Sequence, residues 1–288
     1  MSTPIADVTP ATLRDWPLPE VGHSKYGRGQ VLVVGGAART PGAAALAGLA
    51  ALRVGAGHLT LAVAESVAVA LAVATPESAV IALSQTAEGS VGGEDLIAIA
   101  EPLGQSDVVV MGPGLDDPKH TERLLRQAVP ALGQETWLVL DAYALGVLPR
   151  LSDVVGAVGG RLILTPNSEE ASRLLGRRLD RTEADVPEIA ERYHAVVTCQ
   201  GVVADPGGSC WRIGSGHGGL ATSGSGDVLA GAVAGLLARG AEPSQAACWA
   251  SHVHAAAGDR LAVSVGAMGF LARELLDELP RVLVELGA

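Results

Sequence analysis

Short, unbroken apolar runs that end in glycine, aspartate or asparagine recur along the first two thirds of the chain, each followed by a helix-forming stretch. Gln30–Val34 runs into Gly35-Gly36, and residues 106–111 run into Gly112-Pro113-Gly114. Residues 136–140 end at Asp141, and residues 161–164 end at Thr165-Pro166-Asn167. A strand without polar alternation is buried on both faces, the condition of a parallel sheet covered by helices. The intervening segments fit that condition. Pro41–Arg53 is rich in Ala and Leu with Pro at its start, and 65–73, 121–129, Ser168–Leu175 and 184–192 also read as helices. Residues 58–63 and 195–198 read as two more strands. Val202–Ala204 and Cys210–Ile213, split by Asp205-Pro206-Gly207-Gly208, predict a hairpin. The final third predicts helices over 227–237, 243–261 and 270–279. The expected fold class is α/β, a mostly parallel central sheet with helices on both faces. No repeat or long linker divides residues 1–288, so one domain is expected.

Composition narrows the partners. Apolar residues make up 48% of the chain, yet there are only one Phe, three Tyr and four Trp, so the core is expected to be built from Ala, Val and Leu. The formal net charge of −11 repels a phosphate backbone, which argues against a nucleic-acid partner. A phosphorylated small molecule is still admissible, because helix N-termini bind anions locally. Cys199, Cys210 and Cys248 are far apart and show no zinc-ligand spacing. They read as small buried side chains in a reducing compartment. The first residues show no basic-then-apolar signal pattern, and no apolar stretch is long enough to span a bilayer. A soluble, cytoplasmic protein without a membrane partner is expected.

In sheets of this type ligands bind beyond the carboxyl ends of the strands. The endings Gly35-Gly36, Gly112-Pro113-Gly114, Asp141 and Asn167 would then share one rim. The most informative stretch is residues 214–227, a glycine-rich lead that runs straight into an apolar helix through Ser223-Gly224-Ser225-Gly226-Asp227. The first amides of a helix lack internal partners and carry partial positive charge, so they receive a phosphate or the charge on a transferring phosphoryl group. Asp227 at that helix start reads either as a favourable first-turn acid or as a carboxylate that takes a proton from a substrate hydroxyl.

Gly224-Ser225-Gly226-Asp227 before Val228-Leu229-Ala230-Gly231 resembles the anion-hole and catalytic-base motif of the ribokinase-like superfamily. Further segments narrow the resemblance to the ADP- or ATP-dependent NAD(P)H-hydrate dehydratases. They are the opening from His23 through Gly36, the stretch 41–57, Val110-Met-Gly-Pro-Gly-Leu115, Leu140-Asp-Ala-Tyr-Ala-Leu145 and Leu164-Thr-Pro-Asn-Ser-Glu-Glu170. The tail adds His254-Ala-Ala-Ala-Gly-Asp259 and residues 270–280. The resemblance covers essentially the whole chain, and the epimerase domain fused upstream in some members is expected to be absent.

The resemblance implies a repair reaction. A nucleotide, ADP or ATP, phosphorylates the ring hydroxyl of hydrated NADH or NADPH, and phosphate then leaves to restore the reduced cofactor. It also implies roles for residues. Asp227 matches the base, and Gly224, Ser225 and Gly226 match the anion hole. Gly42, Ala43, Gly114, Asp141 and Asn167, with Asp227, line the hydrate site. Gln200, Gly201 and His217, with Ser225 and Gly226, hold the nucleotide. Glu170 of an Asn-x-x-Glu pattern helps hold Mg2+ through water; a helix-capping box is the alternative, and both can hold together. The family is commonly oligomeric, so a homo-oligomer, a tetramer, is expected.

Three departures stand out. Many members carry His-Pro-Gly-Glu where this chain has Asn167-Ser168-Glu169-Glu170. The Lys-Gly of the nucleotide loop is replaced by Gln200-Gly201, and the segment before Trp211 is about three residues short. A family glycine before the anion hole is Ser223. His254, on an Ala-rich stretch, reads as a core histidine. Two rivals stay open: a hydroxymethylpyrimidine or thiazole kinase of the same superfamily, and a non-catalytic nucleotide-binding protein.

Overall fold

Each unbroken apolar run forms a strand in the computed structural model, which describes residues 5–20, 22, 24–94, 96–216 and 218–288. The strands are β1 (Ile5–Val8), β2 (Gln30–Val34), β3 (His58–Ala64), β4 (Ala79–Leu83), β5 (Val108–Met111), β6 (Trp137–Leu140), β7 (Leu162–Leu164), β8 (Val196–Cys199), β9 (Val202–Ala204) and β10 (Cys210–Ile213). They form one ten-stranded sheet in the order β1-β10-β9-β8-β7-β6-β5-β2-β3-β4. Every neighbouring pair is parallel except β8–β9 and β9–β10, so β9 alone runs against the rest. The sheet is therefore mostly parallel, and the predicted hairpin is β9–β10.

The helices are α1 (Pro10–Arg14), α2 (Pro41–Arg53), α3 (Glu65–Ala74), α4 (Ala100–Gln105), α5 (Pro118–Ala128), α6 (Tyr143–Val147), α7 (Ser152–Val158), α8 (Ser168–Leu175), α9 (Thr182–Tyr193), α10 (Ser225–Ala238), α11 (Pro243–Ser264) and α12 (Ala272–Leu286). They cover both faces. Val31 and Val33 point into one core with α2, α10, α11 and α12, while Leu32 and Val34 point into the other with α4 to α9. The three cysteines are free and buried in these cores. Among the described residues, no helix is long and apolar enough to cross a membrane.

Several features differ from the sequence reading, among them the short helices α4, α6 and α7, which were not expected. β4 was not expected: it is an edge strand, only partly buried, and its Ala-Val-Ile-Ala-Leu sequence follows the similar composition of α3 with little to mark the change. β1, also unexpected, pairs parallel with β10 at the other edge and carries one fully buried residue, Val8. α1 follows it, capped by Thr9, whose Oγ1 accepts from the Thr12 amide at 3.2 Å. Finally, α12 continues through Pro280 to Leu286 instead of stopping before the proline. A proline inside a helix removes one hydrogen bond, but the buried stripe Leu275, Leu276, Leu279, Val282, Leu283 and Leu286 runs across it and holds the helix together.

Two details aim the helices. A side chain at Gly231 would collide with the Ala47 carbonyl, and one at Gly235 with the Ala51 carbonyl. Both steps are four residues, so α10 and α2 lie backbone to backbone and parallel, with their N-termini at the same end. In the sheet, β2 lies between β3 and β5; the chain builds outward to β4 on one side and through β5, β6, β7 and β8 on the other. That reversal opens a crevice at the carboxyl ends of β2 and β5, the general ligand position of such sheets.

Candidate functional site

The rim at this crevice is built by backbone touching backbone. The Gly36 amide donates to the Pro113 carbonyl at 2.9 Å, and the Ala37 amide to the Gly114 carbonyl at 2.8 Å. Thr40 Oγ1 donates to the same Gly114 carbonyl at 2.8 Å. Gly114 has φ +74°, and a side chain there would collide with the Thr40 carbonyl and come within 3.1 Å of the Gly36 Cα. Gly112 has φ +128°, and a side chain there would collide with the Asp141 carbonyl. Only glycine meets both demands at these positions. The loops after β2, β5 and β6 thus lie flat against one another, and Gly114 and Asp141 fall on one ledge.

The N-terminus of α10 faces this ledge. Gly224 (φ +90°) tucks against α2 and α12, where a side chain would come within 2.7 Å of Leu46 Cδ1 and 3.1 Å of Ala272 Cβ. The Ser225 amide donates to the Thr222 carbonyl and the Val228 amide to the Gly224 carbonyl, both at 3.2 Å. Among the described residues, the amides of Gly224, Gly226 and Asp227 find no backbone acceptor, which leaves them as open donors. The Ser225 amide, expected in the anion hole, is spent on the turn. Carrying the α2–α10 register back one turn, from Gly231 and Ala47, sets Asp227 beside Ala43. Gly42 and Gly226 are exposed, with open space where a side chain would stand. Two parallel helix N-termini therefore aim their positive ends at one place.

Three carboxylates, Asp141, Glu170 and Asp227, stand close enough to act on one another across this space. Asp141 is buried and accepts a hydrogen bond from the Thr165 hydroxyl at 2.8 Å. Burial, then the nearby Asp227 charge, raises its pKa to about 7. Burial raises Glu170 to about 7, with a further push from Asp141. Asp227 is raised to about 6 by burial and by Glu170. Each carboxylate thus destabilises the charge of another. Arg173 acts on Glu170 in the opposite sense as a minor influence.

Asn167 and Glu170 make the predicted capping box at the start of α8. Asn167 Oδ1 accepts from the amides of Glu169 (2.9 Å) and Glu170 (3.0 Å), and Glu170 Oε2 accepts from the Asn167 amide at 2.9 Å. Among the described residues, Glu170 Oε1 has no hydrogen-bond partner. Among the described residues, no three His, Cys, Asp or Glu side chains stand close enough to ligate a metal directly. Three mutually repelling carboxylates without direct-ligand spacing fit a hard divalent cation that keeps its water shell.

The nucleotide end is different. Gln200 (φ +49°) and Gly201 (φ +76°) form the two-residue turn between β8 and β9, with Cys199 paired to Val202. Positive φ at both positions is the tight hairpin form, so this loop is a turn with no slack to wrap a phosphate. The turn follows Cys199, whose thiol burial and the Glu170 charge push up to about 12. Gln200 and Gly201 line a cleft of about 1070 Å³ together with Arg181 and Arg212; the three carboxylates are not part of its wall. Arg212 is paired with Asp7 (2.8 Å) and Glu183 (2.9 Å). His217 and His23 lie outside the described residues.

Two polar partnerships were not assigned from the sequence, although His254 is the core histidine it was expected to be. Thr165 fixes Asp141, and His254 reaches Ser225 from α11, its Nε2 3.0 Å from Ser225 Oγ. Thr165 was visible as a strand-end residue. His254 could be linked to Ser225 only by the fold.

Comparison with known proteins places this arrangement. A family model described as NAD(P)H-hydrate dehydratase matches residues 31–281. The chain is 42% identical to an ADP-dependent (S)-NAD(P)H-hydrate dehydratase of Xanthomonas campestris, over 98% of this chain and 97% of that protein. It also matches bifunctional NAD(P)H-hydrate repair enzymes, such as those of Moorella thermoacetica and Thermofilum pendens, and spans about half their length. Among solved structures, the ADP/ATP-dependent NAD(P)H-hydrate dehydratase of Bacillus subtilis, co-crystallized with ATP/Mg2+, superposes with a TM-score of 0.79 at 26% identity, over 98% of this chain and 99% of that one. A ribokinase-like superfamily protein of Enterococcus faecalis superposes with a TM-score of 0.83 at 22% identity, over 98% and 96% of the two chains, which shows the shared fold.

Proposed function

This chain belongs to the NAD(P)H-hydrate dehydratase family, and on that premise we propose that it is a lyase that restores hydrated NADH or NADPH at the expense of ADP or ATP. The observation that carries the reading is the convergence of the open amides of Gly224, Gly226 and Asp227 on a ledge that also holds the Asp227 carboxylate.

The chemistry follows from these parts. Asp227, raised to about 6, is ionised at neutral pH yet basic enough to take the proton of the ring hydroxyl as it attacks the terminal phosphoryl group. The open amides of α10 stabilise charge on the transferring group. Gly42, Ala43 and Gly114 leave backbone surface against which a flat ring can lie, with Asp141 and Asn167 at its polar edge. Glu170, through its available Oε1, and Asp141 would hold Mg2+ through water. That ion, when bound, neutralises phosphate charge and relieves the repulsion among the three carboxylates. The Gly226 amide takes the phosphate end of the nucleotide, with buried Ser225 holding that turn in place, and Gln200 and Gly201 flank it. The ring C–O bond of the phosphate ester then breaks as inorganic phosphate leaves, the adjacent ring carbon loses a proton, and the double bond between the two carbons is restored.

The whole 288-residue stretch acts in this reading as one domain, since β1 pairs with β10 in the one sheet and α12 packs into the same core as β2 and β3. Free buried cysteines suit a cytoplasmic setting. Val69 and Val73, one turn apart and each 78% exposed on α3, flank the partly covered edge strand β4 and support burial against further copies in a homo-oligomer, a tetramer. Light scattering of the purified chain checks this.

The test of the function is incubation with hydrated NADH, Mg2+ and either nucleotide. The reading expects recovery of NADH absorbance with at least one of them. No recovery with ADP or ATP, from protein shown to be folded, would contradict it.

A further inference from the structure

His254 lies in the interior of α11, 7% exposed. Its Nε2 is 3.0 Å from Ser225 Oγ and 3.0 Å from the Ser225 carbonyl oxygen. A carbonyl oxygen can only accept, so Nε2 must carry the ring proton and donate it there. The other tautomer would set lone pairs against each other at the same distance. With that proton engaged, the Ser225 hydroxyl keeps its own. Burial lowers the imidazole to about 4, so the ring stays neutral wherever a carboxylate base is ionised.

Ser225 is itself buried and sits between Gly224 and Gly226, at the first turn of α10. The turn is otherwise held by its two backbone hydrogen bonds, Ser225 N–H to the Thr222 carbonyl and Val228 N–H to the Gly224 carbonyl, and by the packing of Gly224 against Leu46 and Ala272. Two flanking glycines make the backbone soft, and the Ser225 carbonyl has a second lone pair that would be buried without a partner if the ring were absent. The imidazole is the polar fastening of a segment whose neighbouring amides have to be placed to a fraction of an ångström.

We propose that His254 is a positioning residue for the phosphoryl-handling site: through the carbonyl and hydroxyl of Ser225 it fixes the first turn of α10, and with it the open amides of Gly226 and Asp227 and the Asp227 carboxylate. The proposal rests on the function assigned above. It predicts an effect on the transition state, where developing charge meets those amides, more than on ground-state binding.

Two variants test it. His254→Phe keeps a ring of similar size without an N–H, and His254→Gln sets an amide N–H where Nε2 stood. The expected result for His254→Phe is a kcat lower by about 30- to 100-fold, the loss typical of misplaced catalytic donors, with KM for both substrates within about threefold. His254→Gln should recover kcat to within about fivefold of the unsubstituted protein. A general packing role would not give this kcat-only loss or the rescue by Gln. Equal kcat for His254→Phe and the unsubstituted protein, or equal losses in the two variants, overturns the proposal. A second probe separates this from the function itself: binding of AMP or ADP with Mg2+ and fluoroaluminate, a mimic of a transferring phosphoryl group. If hydrated NADH is never turned over, the functional reading fails. His254 is then judged by whether fluoroaluminate binding drops about tenfold in His254→Phe and returns in His254→Gln; unchanged binding overturns it. Should His254→Phe not fold, nitrogen NMR of the unsubstituted chain decides: protonation on Nε2 is expected, and protonation on Nδ1 contradicts the geometry.

Discussion

The two ends of the site are built on different principles. At the chemistry end, α2 and α10 press backbone to backbone at Gly231 and Gly235, and three strand-end loops meet with glycines in the only conformations that fit. At the end proposed for the nucleotide, Gln200 and Gly201 make a minimal hairpin turn beside a cleft whose walls include Arg181, just before α9, and Arg212 on β10. The first end is rigid because no side chain intervenes, so the positions of its amides are set by the fold. The second is a two-residue turn that itself carries no cation. In the proposed function the difference means that separate elements hold the transferring group and the rest of the nucleotide, so each can be altered without the other.

Four experiments break or sharpen this contrast. The largest effect is expected from Asp227→Asn, which removes the base and leaves the amides. General-base loss costs about 10²–10⁴-fold in kcat, while nucleotide binding and the melting temperature should stay close to those of the unsubstituted protein. A kcat within tenfold would remove Asp227 from the chemistry.

Next is Gly112→Ala. The new methyl would meet the Asp141 carbonyl, and the position has φ +128°; strain and overpacking together are expected to cost roughly 3 kcal/mol, seen in urea unfolding. Gln200→Gly at the other end, where φ is already positive, should change stability by less than about 1 kcal/mol and in the stabilising direction. Equal tolerance at both positions would erase the contrast.

The third concerns pH. Asp141 is raised in the fold from 3.8 to about 7, so between those values the folded state binds the extra proton. Stability from this group is therefore greatest at low pH and is lost as pH rises towards 7. His254, lowered from 6.5 to about 4, acts in the opposite sense over part of that window. The quantity to read is the melting-temperature difference between the unsubstituted chain and Asp141→Asn without Mg2+. It should move against the unsubstituted chain from pH 4 to pH 7, and Mg2+ should restore more at pH 7. A flat difference would mean that Asp141 is not held in a destabilised charged state.

The smallest effect is expected from Gln200→Lys. One exposed cation beside a phosphate is worth about 0.5–1 kcal/mol, so nucleotide KM should fall by about two- to fivefold with kcat unchanged. A change in kcat instead would tie the turn to the chemistry.

Much of this was legible in the sequence for identifiable reasons. Parallel strands buried on both faces leave unbroken apolar runs, so β2, β5 and β6 and their terminal residues Gly35, Gly112 and Asp141 could be read directly. The capping box of Asn167 and Glu170 has a local signature and was present as expected. The edge strands β1 and β4 were not legible: Ile5–Val8 is a four-residue segment broken by Asp7, and the apolar run Ala79–Leu83 follows the similar composition of α3 with little to mark the change. Nor was the end of α12, where tertiary burial overrode the proline. The helix start near Asp227 was legible, but which of its amides stay open was not. Whether the Ser225 N–H is open depends on the turn to Thr222, which composition does not reveal. Long-range pairing is also hidden: His254 meets Ser225 only because α11 packs on α10.

The most direct measurement of the central claim is the stoichiometry of phosphate release during turnover. With hydrated NADH, Mg2+ and the active nucleotide, phosphorus NMR should show one inorganic phosphate formed for each NADH recovered, with no phosphorylated cofactor building up, and Asp227→Asn should form neither product at a comparable rate. Accumulation of a stable phosphorylated product would make the protein a kinase, and nucleotide bound but not consumed would make it a binding protein; either result contradicts the account.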